Sequence, residues 1–451
     1  MLSASNAGNA TVAPAYRGSS YIDRQSKELD SFELLYEGRS EAGDKAWTAR
    51  YFTGESSYWV DRDVLDFRNP PPAGTLTRFM TTKSKNEFQG AQANFSYDFD
   101  IVKLVAGADW LRYEFQQTQF VPPHAFGAAL NRGSDADSSY ENIGAYLLAR
   151  LRLLEDRNLV FSGGVRFDKF KIGLGGTVNN VQQRHQERDF DKVLPSFGIS
   201  YSPIEELKFR ASWGEAFRIP TPRNLVGNFF MGSTFYIGNP ALEPEESQTF
   251  DIGFDAQWQG LTASASYFTT KYKNYIGTEA AIGGTQYINV PNTKIDGLEI
   301  SFRYDIGSRL NWDFSLTPYA NFTHLFKYKD QDSGRKLASL SRNTMAAGLD
   351  LAVPAADFTA SLSGVYLSAP EIATYSSQRE PLRFAGSSAM VWNLSAVKTL
   401  YSLNDKGKFK LRFAIDNMFN KFYGFYGSTA MTTPSFLPGR AFFVSLIWEL
   451  E

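Results

Sequence analysis

One rhythm constrains this chain more than any other feature. From Leu29 to Glu451, long segments with an apolar residue at every second position are joined by links that alternate short and long. The short links fall at 39–45, 98–102, 155–158, 202–206, 259–260, 306–309, 353–356 and 404–408. The long ones fall at 54–81, 118–138, 173–188, 217–245, 275–286, 327–339, 369–387 and 420–440. Period-2 alternation is the signature of a strand with one wet and one oily face. Short links on one rim and long links on the other describe an up-and-down antiparallel barrel. Segments such as Leu104 to Phe115, Ile143 to Leu153 and Leu261 to Ile276 reach or exceed the roughly 9–11 residues that cross a bilayer on a tilt.

Charge falls consistently on one side of these segments. Leu298, Ile300, Phe302 and Tyr304 alternate with Glu299, Ser301 and Arg303, and Phe409, Leu411, Phe413 and Ile415 alternate with Lys410, Arg412 and Asp416. A Lys or Arg at mid-depth on a lipid face costs about 2–4 kcal/mol, so the charged side is expected to be the lumen. On this reading Arg166, Asp168, Asp251, Asp255, Glu299, Arg303, Arg412 and Asp416 face inward, and Arg166 and Asp168, two apart on one strand, can pair. The fold class expected is all-β, an antiparallel transmembrane β-barrel with about 17 strands present of the roughly 22 in a plugged transporter. Residues 1–28 read as a mobile loop or frayed end and 29–451 as the barrel, incomplete at its N-terminal side.

The totals narrow the function. With 46 basic and 48 acidic residues the net charge is −2, so no overall field recruits nucleic acid. Hydrophobic residues at 43% exclude a disordered chain, and no run of about 18 apolar residues provides a transmembrane helix. The first residues have neither a basic start nor an apolar core, so they are not a signal peptide. No GxSxG elbow, HExxH pair or phosphate-binding loop is present, and an enzyme is not expected. The acidic pairs around Asp135 and Asp330 lack a bidentate Glu at calcium-loop spacing, and neither a metal site nor a cofactor is expected.

Several boxes in order carry a family resemblance. Phe217-Arg218-Ile219-Pro220 followed by Gly238-Asn239-Pro240-Ala241-Leu242-Glu243-Pro244-Glu245 resembles the FRxP…NPxLxPE segment of TonB-dependent outer-membrane receptors. Gly107-Ala108-Asp109-Trp110, Gly164-Val165-Arg166-Phe167-Asp168, Leu194-Pro195-Ser196-Phe197-Gly198, Asn289-Val290 with Gly297-Leu298-Glu299, and Asn417 to Tyr423 are similar to further boxes of that family. The final strand resembles the closing strand of such barrels but ends in Glu451 in place of an aromatic residue.

The resemblance implies uptake of a scarce nutrient, a ferric siderophore, haem or similar, by a monomer in outer-membrane lipid of a bacterium. The TonB complex would couple only through a plug domain that the 451 residues do not include. A passive porin or surface-binding barrel is the alternative, and a soluble propeller-like β protein a third. For ligand capture the expected residues are the aromatic cluster Phe229, Phe230, Phe235 and Tyr236 and the three histidines His124, His185 and His324, placed in or near extracellular loops. Imidazole is a common axial ligand of haem iron, and aromatic side chains suit flat ligands.

Overall fold

The computed structural model describes residues 2–7, 19–66, 75–120, 137–154, 158–175, 177–178, 181–182, 186–226, 228–231, 234–334, 340–368, 388–403, 407–421, 424–425, 435–436 and 438–449. Their architecture is one large sheet of 20 strands, of which eighteen form an antiparallel wall and two are short loop strands. The wall strands are β1 (Leu2–Ala7), β2 (Ser19–Arg39), β3 (Lys45–Asp66), β4 (Thr75–Asp98), β5 (Val102–Phe120), β6 (Asp137–Leu153), β7 (Leu159–Gly175), β8 (Gln186–Ile204) and β9 (Leu207–Arg218). They continue as β10 (Glu245–Trp258), β11 (Leu261–Ala281), β12 (Gly284–Tyr304), β13 (Ser315–Asp330), β14 (Asn343–Val353), β15 (Phe358–Leu367), β16 (Ala389–Ser402), β17 (Lys408–Asp416) and β18 (Ala441–Glu449). Each pairs with its neighbours in the chain, the up-and-down order that the links imply. Seventeen of the eighteen are long, and among the described residues no pairing joins β18 to β1 or β2.

The wall extends further than the alternation does. The link expected at 275–286 is a tight hairpin: β11 runs to Ala281, β12 starts at Gly284, and Gly283 takes a φ of +87°. Likewise β3 and β4 cover most of 54–81. Strand β2 begins at Ser19 and pairs with β1, so ladder structure reaches into the stretch read as a loose end. Sequence periodicity fades in these places because the faces no longer sort into oily and wet, with Asp61, Asp63 and Thr82 buried and Ile276 and Tyr287 packed on a buried apolar cluster, while the backbone ladder needs no apolar face to continue.

Burial follows the barrel pattern, with apolar residues exposed on the outer face. Ile143, Leu147, Phe167, Phe197, Ile252, Phe254, Ile300 and Phe302 are all exposed. The compact apolar core instead lies at the long-link rim, where Ile172, Leu174 and Phe190 of β7 and β8 enclose Leu225 and Leu242 of the 217–245 loop.

Candidate functional site

The loop between β9 and β10 is folded down onto the wall, and the boxes of the sequence are its fasteners. Thr221 and Asn224 bond reciprocally at the start of a one-turn helix, Pro222–Val226: the Asn224 N–H donates to Thr221 Oγ1 at 3.2 Å and the Thr221 N–H to Asn224 Oδ1 at 2.9 Å. That turn drops Leu225 into the rim core. Beside it the strands Asn228–Met231 and Thr234–Ile237 form a hairpin whose second strand pairs in parallel with β12 through Tyr236 and Ile237.

Most residues of the NPxLxPE box have a partner of their own. Asn239 donates from Nδ2 to the Tyr287 carbonyl at 2.9 Å and accepts the Ala241 N–H at 3.0 Å. Leu242 is fully buried beside Leu225. Asn289 grips Glu243 on both sides, accepting its N–H at 2.8 Å and donating to its carbonyl at 3.0 Å, and donates also to the Asn274 carbonyl at 2.9 Å. Glu245 takes the Arg218 guanidinium at 2.5 Å and the Ile276 N–H at 2.6 Å. Arg188 donates to the Pro240 and Leu242 carbonyls. The FRxP box completes the joint: Phe217 meets Phe170 edge-on at 5.3 Å, and Pro220 is fully buried. Burial, and then the nearby Glu245 charge, raise the phenol pKa of Tyr275. The hydrogen bond to Glu245 raises that of Arg218.

A second polar assembly lies on the inner face. Asp109, Gly144 and Asp168 are in register on β5, β6 and β7. Arg166 reaches across the middle strand to clasp Asp109 with two bonds, of 2.8 and 3.0 Å, and Asp168 with two of 2.6 Å. Asn142 adds a bond to the buried Asp168 at 3.2 Å. A Cβ on Gly144 would lie 2.2 Å from Arg166 Nη2, so glycine there is what opens the path for the guanidinium. On the same face Arg210 pairs with Asp255 at 3.1 Å and Arg303 with Asp350 at 3.1 Å. Asp251, Glu299, Arg412 and Asp416 share the charged side by register but hold no ion pair among the described residues.

Of the proposed ligand-contacting residues, the side chains of Tyr236 and His324 are described. Tyr236 is buried, its ring 5.8 Å from that of Tyr287, so it packs the loop onto β12 and presents no open face. Phe229, Phe230 and Phe235 share its hairpin by backbone register, and their side chains lie outside the described residues, as do His124 and His185. His324 is in register with Leu298 and next to the Phe322–Ile300 pair, which sets it on the outer apolar face. Its Nδ1 donates to Asn343 Oδ1 at 2.6 Å, and its ring meets Phe326 at 4.9 Å. The reading that groups His324 with the ligand loops is therefore corrected: it belongs to an aromatic row on the wall. Sequence reasoning missed Asn289, Asn239 and Leu242 as a working set because their partners lie on strands about fifty residues away; Asn289 was visible only as half of a two-residue box.

The described residues contain no group of three or more His, Asp or Glu placed to hold a metal ion. Among proteins of known function, the chain is 25% identical to the hemin receptor of Yersinia pestis over 236 residues, which is 47% of this chain and 32% of that protein. It is 25% identical to the ferric enterobactin receptor of Pseudomonas aeruginosa over 202 residues, 39% of this chain and 26% of that one. The matched part thus spans well under half the length of these relatives. Among solved structures, the copper transporter OprC superposes with a TM-score of 0.73 at 17% identity, over 96% of this chain and 68% of that chain. The unliganded ferric citrate transporter FecA gives 0.61 at 14% identity, over 95% and 70%. A family model described as the β-barrel of TonB dependent receptor-like proteins matches residues 2–418, and the chain belongs to that family.

Proposed function

We propose that this chain is the wall of a receptor in the bacterial outer membrane that takes up a scarce iron-bearing nutrient, a ferric siderophore or haem, with energy delivered by the TonB complex. The observation that carries the reading is the sidedness of the wall: apolar residues outside, a ladder of charged pairs inside, and a folded cap fastened over one rim only. A charged inner face suits a plug domain seated by polar contacts and released without crossing an apolar barrier. The capped rim is the extracellular one, and the ligand is captured there. Relatives named for hemin, for hemoglobin-haptoglobin and for ferric enterobactin support an iron-bearing ligand. Phe229, Phe230 and Phe235, on the outermost hairpin, are the residues we assign to first contact, with His124 and His185 as further candidates.

The test is growth on single iron sources in cells that lack their own receptors and produce this wall together with a plug domain, with and without TonB. Rescue by one iron complex, lost without TonB, is the expected result. Rescue that persists without TonB would replace this reading with a passive pore.

A further inference from the structure

The box that opens at Asn417 plays no part in the cap, and it fastens a cavity of its own. Asn417 is buried and left-handed, with a φ of +48°. Its N–H donates to Asn393 Oδ1 at 2.9 Å, its Nδ2 to the Lys421 and Pro438 carbonyls at 2.8 and 3.2 Å, and its Oδ1 accepts the Lys421 N–H at 2.7 Å. Asn420, at a φ of +52°, accepts the Arg440 N–H at 2.9 Å, and the Met418 N–H donates to the Trp392 carbonyl at 2.7 Å. The chain at 438–440 is thereby tied to β16 and to the end of β17.

Between this segment and the wall lies a cavity of about 470 Å³, lined by Val365, Ala389, Val391, Asn393, Asp416 and Phe443, with Pro438 and Gly439 on the fastened side. Ladder parity puts it on the inner face. Ser361, which donates to Asp350 beside Arg303, is opposite Ser395, Ser395 is opposite Ala414, and Ala414 is opposite Phe443. Val365, Val391, Asn393 and Asp416 share that parity. On a face marked by ion pairs such as Arg303 with Asp350, Val365 and Phe443 leave 42% and 51% of their surface open, above the buried Ala389 and Val391. Asp416 is exposed and holds no ion pair among the described residues. Lipid does not reach an inner face, so whatever fills the cavity enters from water. An apolar body covers Val365, Val391 and Phe443 and releases the water that hydrates them. A positive charge on that body is attracted by the Asp416 carboxylate and by the face of the Phe443 ring, and a negative one is repelled. Because 438–440 is already fastened, little of the cavity has to be ordered when it is filled.

We propose that this cavity is a binding site for a small organic cation, an ammonium group on an aromatic or branched aliphatic body, with the charge at Asp416 and the body between Val391 and Phe443. The site rests on the sidedness of the wall but not on the identity of the transported nutrient.

The experiment is isothermal titration calorimetry of the wall, produced together with a plug domain and extracted from membranes in mild detergent, with naphthylethylammonium as the probe. Neutral naphthylethanol and anionic naphthylpropanoate are titrated in parallel, each against a blank of detergent alone. The expected result is saturable one-to-one binding of the ammonium compound, at least about threefold weaker binding of the alcohol, and weaker binding still of the carboxylate. Asp416→Asn should bring the ammonium compound down to the affinity of the alcohol and leave the alcohol unchanged. Val391→Phe, which fills the cavity, should remove binding of both, with a melting temperature that shows the protein to be folded. If Val391→Phe does not fold, the isosteric Asp416→Asn comparison decides alone. Equal affinity for the ammonium compound and the alcohol, or an Asp416→Asn protein that binds the ammonium compound as tightly as before, would overturn the proposal and leave an apolar hollow without charge selection. Undiminished binding by a folded Val391→Phe protein would place the probe elsewhere and overturn it too. Absence of binding would do the same and give the cavity to a side chain of the plug.

Discussion

Replacing Leu242 with Ala tests whether the 217–245 loop is a rigid cap or a loose flap. Leu242 is 0% exposed and packs in a cluster with Ile172, Leu174, Phe190 and Leu225. Removing its side chain beyond Cβ costs about 2–5 kcal/mol, the upper part of that range applying where the surroundings cannot collapse. Three of its neighbours are on the paired strands β7 and β8, which hold the cavity open. The loss falls on the cap and not on the wall, because the ladder between β7 and β8 is complete without the loop. At about 1.4 kcal/mol per tenfold, opening of the cap becomes about 30- to 4000-fold more frequent. Hydrogen exchange followed by mass spectrometry reads this directly. The amides of Ala241, Glu243 and Ile276, which donate to Asn239, Asn289 and Glu245, should exchange faster by that factor. The amides of β14 and β15 should not change. Unchanged exchange at the three cap amides would refute the docking argument, and accelerated exchange throughout the wall would refute its local character.

Three further outcomes follow from the geometry. Gly144→Ala should mimic loss of Arg166 without removing a charge, since its Cβ occupies the guanidinium's path. Both Gly144→Ala and Arg166→Met should lower unfolding stability in detergent by about 1–3 kcal/mol, discounted because Arg166 is one-third exposed, and adding Asp109→Asn to Arg166→Met should recover part of it. His324→Ala should leave iron-dependent growth unchanged on every source, including haem, because the ring lies on the outer face against Phe326; loss of growth on haem alone would put it back among the ligand residues. At the turn between β4 and β5, the Arg152 guanidinium holds the Asp98 carboxyl below its ordinary value of 3.8, so the clamp's contribution is intact above that pH and disappears as pH falls through the lowered value; Asp98→Asn should abolish this acid dependence in a melting series.

The wall was legible because a barrel writes itself into sequence twice, in apolar alternation and in the order of its links. Leu298, Ile300 and Phe302 against Glu299 and Arg303 assign both faces of β12 without any partner being known. Where the faces no longer sort into oily and wet the first signal vanishes, and the tight hairpin at Ile282 and Gly283 reads as a long loop. The cap was legible only as words. Asn239, Leu242 and Glu245 stand out by their spacing, but their meaning depends on Asn289, Arg188 and Ile172, which no local pattern connects to them. His324 shows the opposite failure: a residue type suggestive of chemistry is placed by strand parity, and parity assigns it to the wall.

The boxes shared with the family therefore encode attachment. Asn239 and Glu245 spend their side-chain polar atoms on backbone groups and on Arg218, Glu243 is held through its backbone by the Asn289 side chain, and Phe217, Pro220 and Leu242 are consumed in packing. A residue so occupied cannot also select a ligand without losing the cap. Under the proposed function, selectivity would reside in side chains that the fasteners position but do not use, and on this loop the proposal assigns it to the hairpin between Asn228 and Ile237. This separation explains how relatives named for ligands as different as hemin and ferric enterobactin can share one scaffold with this chain at about a quarter identity. On that proposal the attachment is read from the boxes and the ligand from the residues between them.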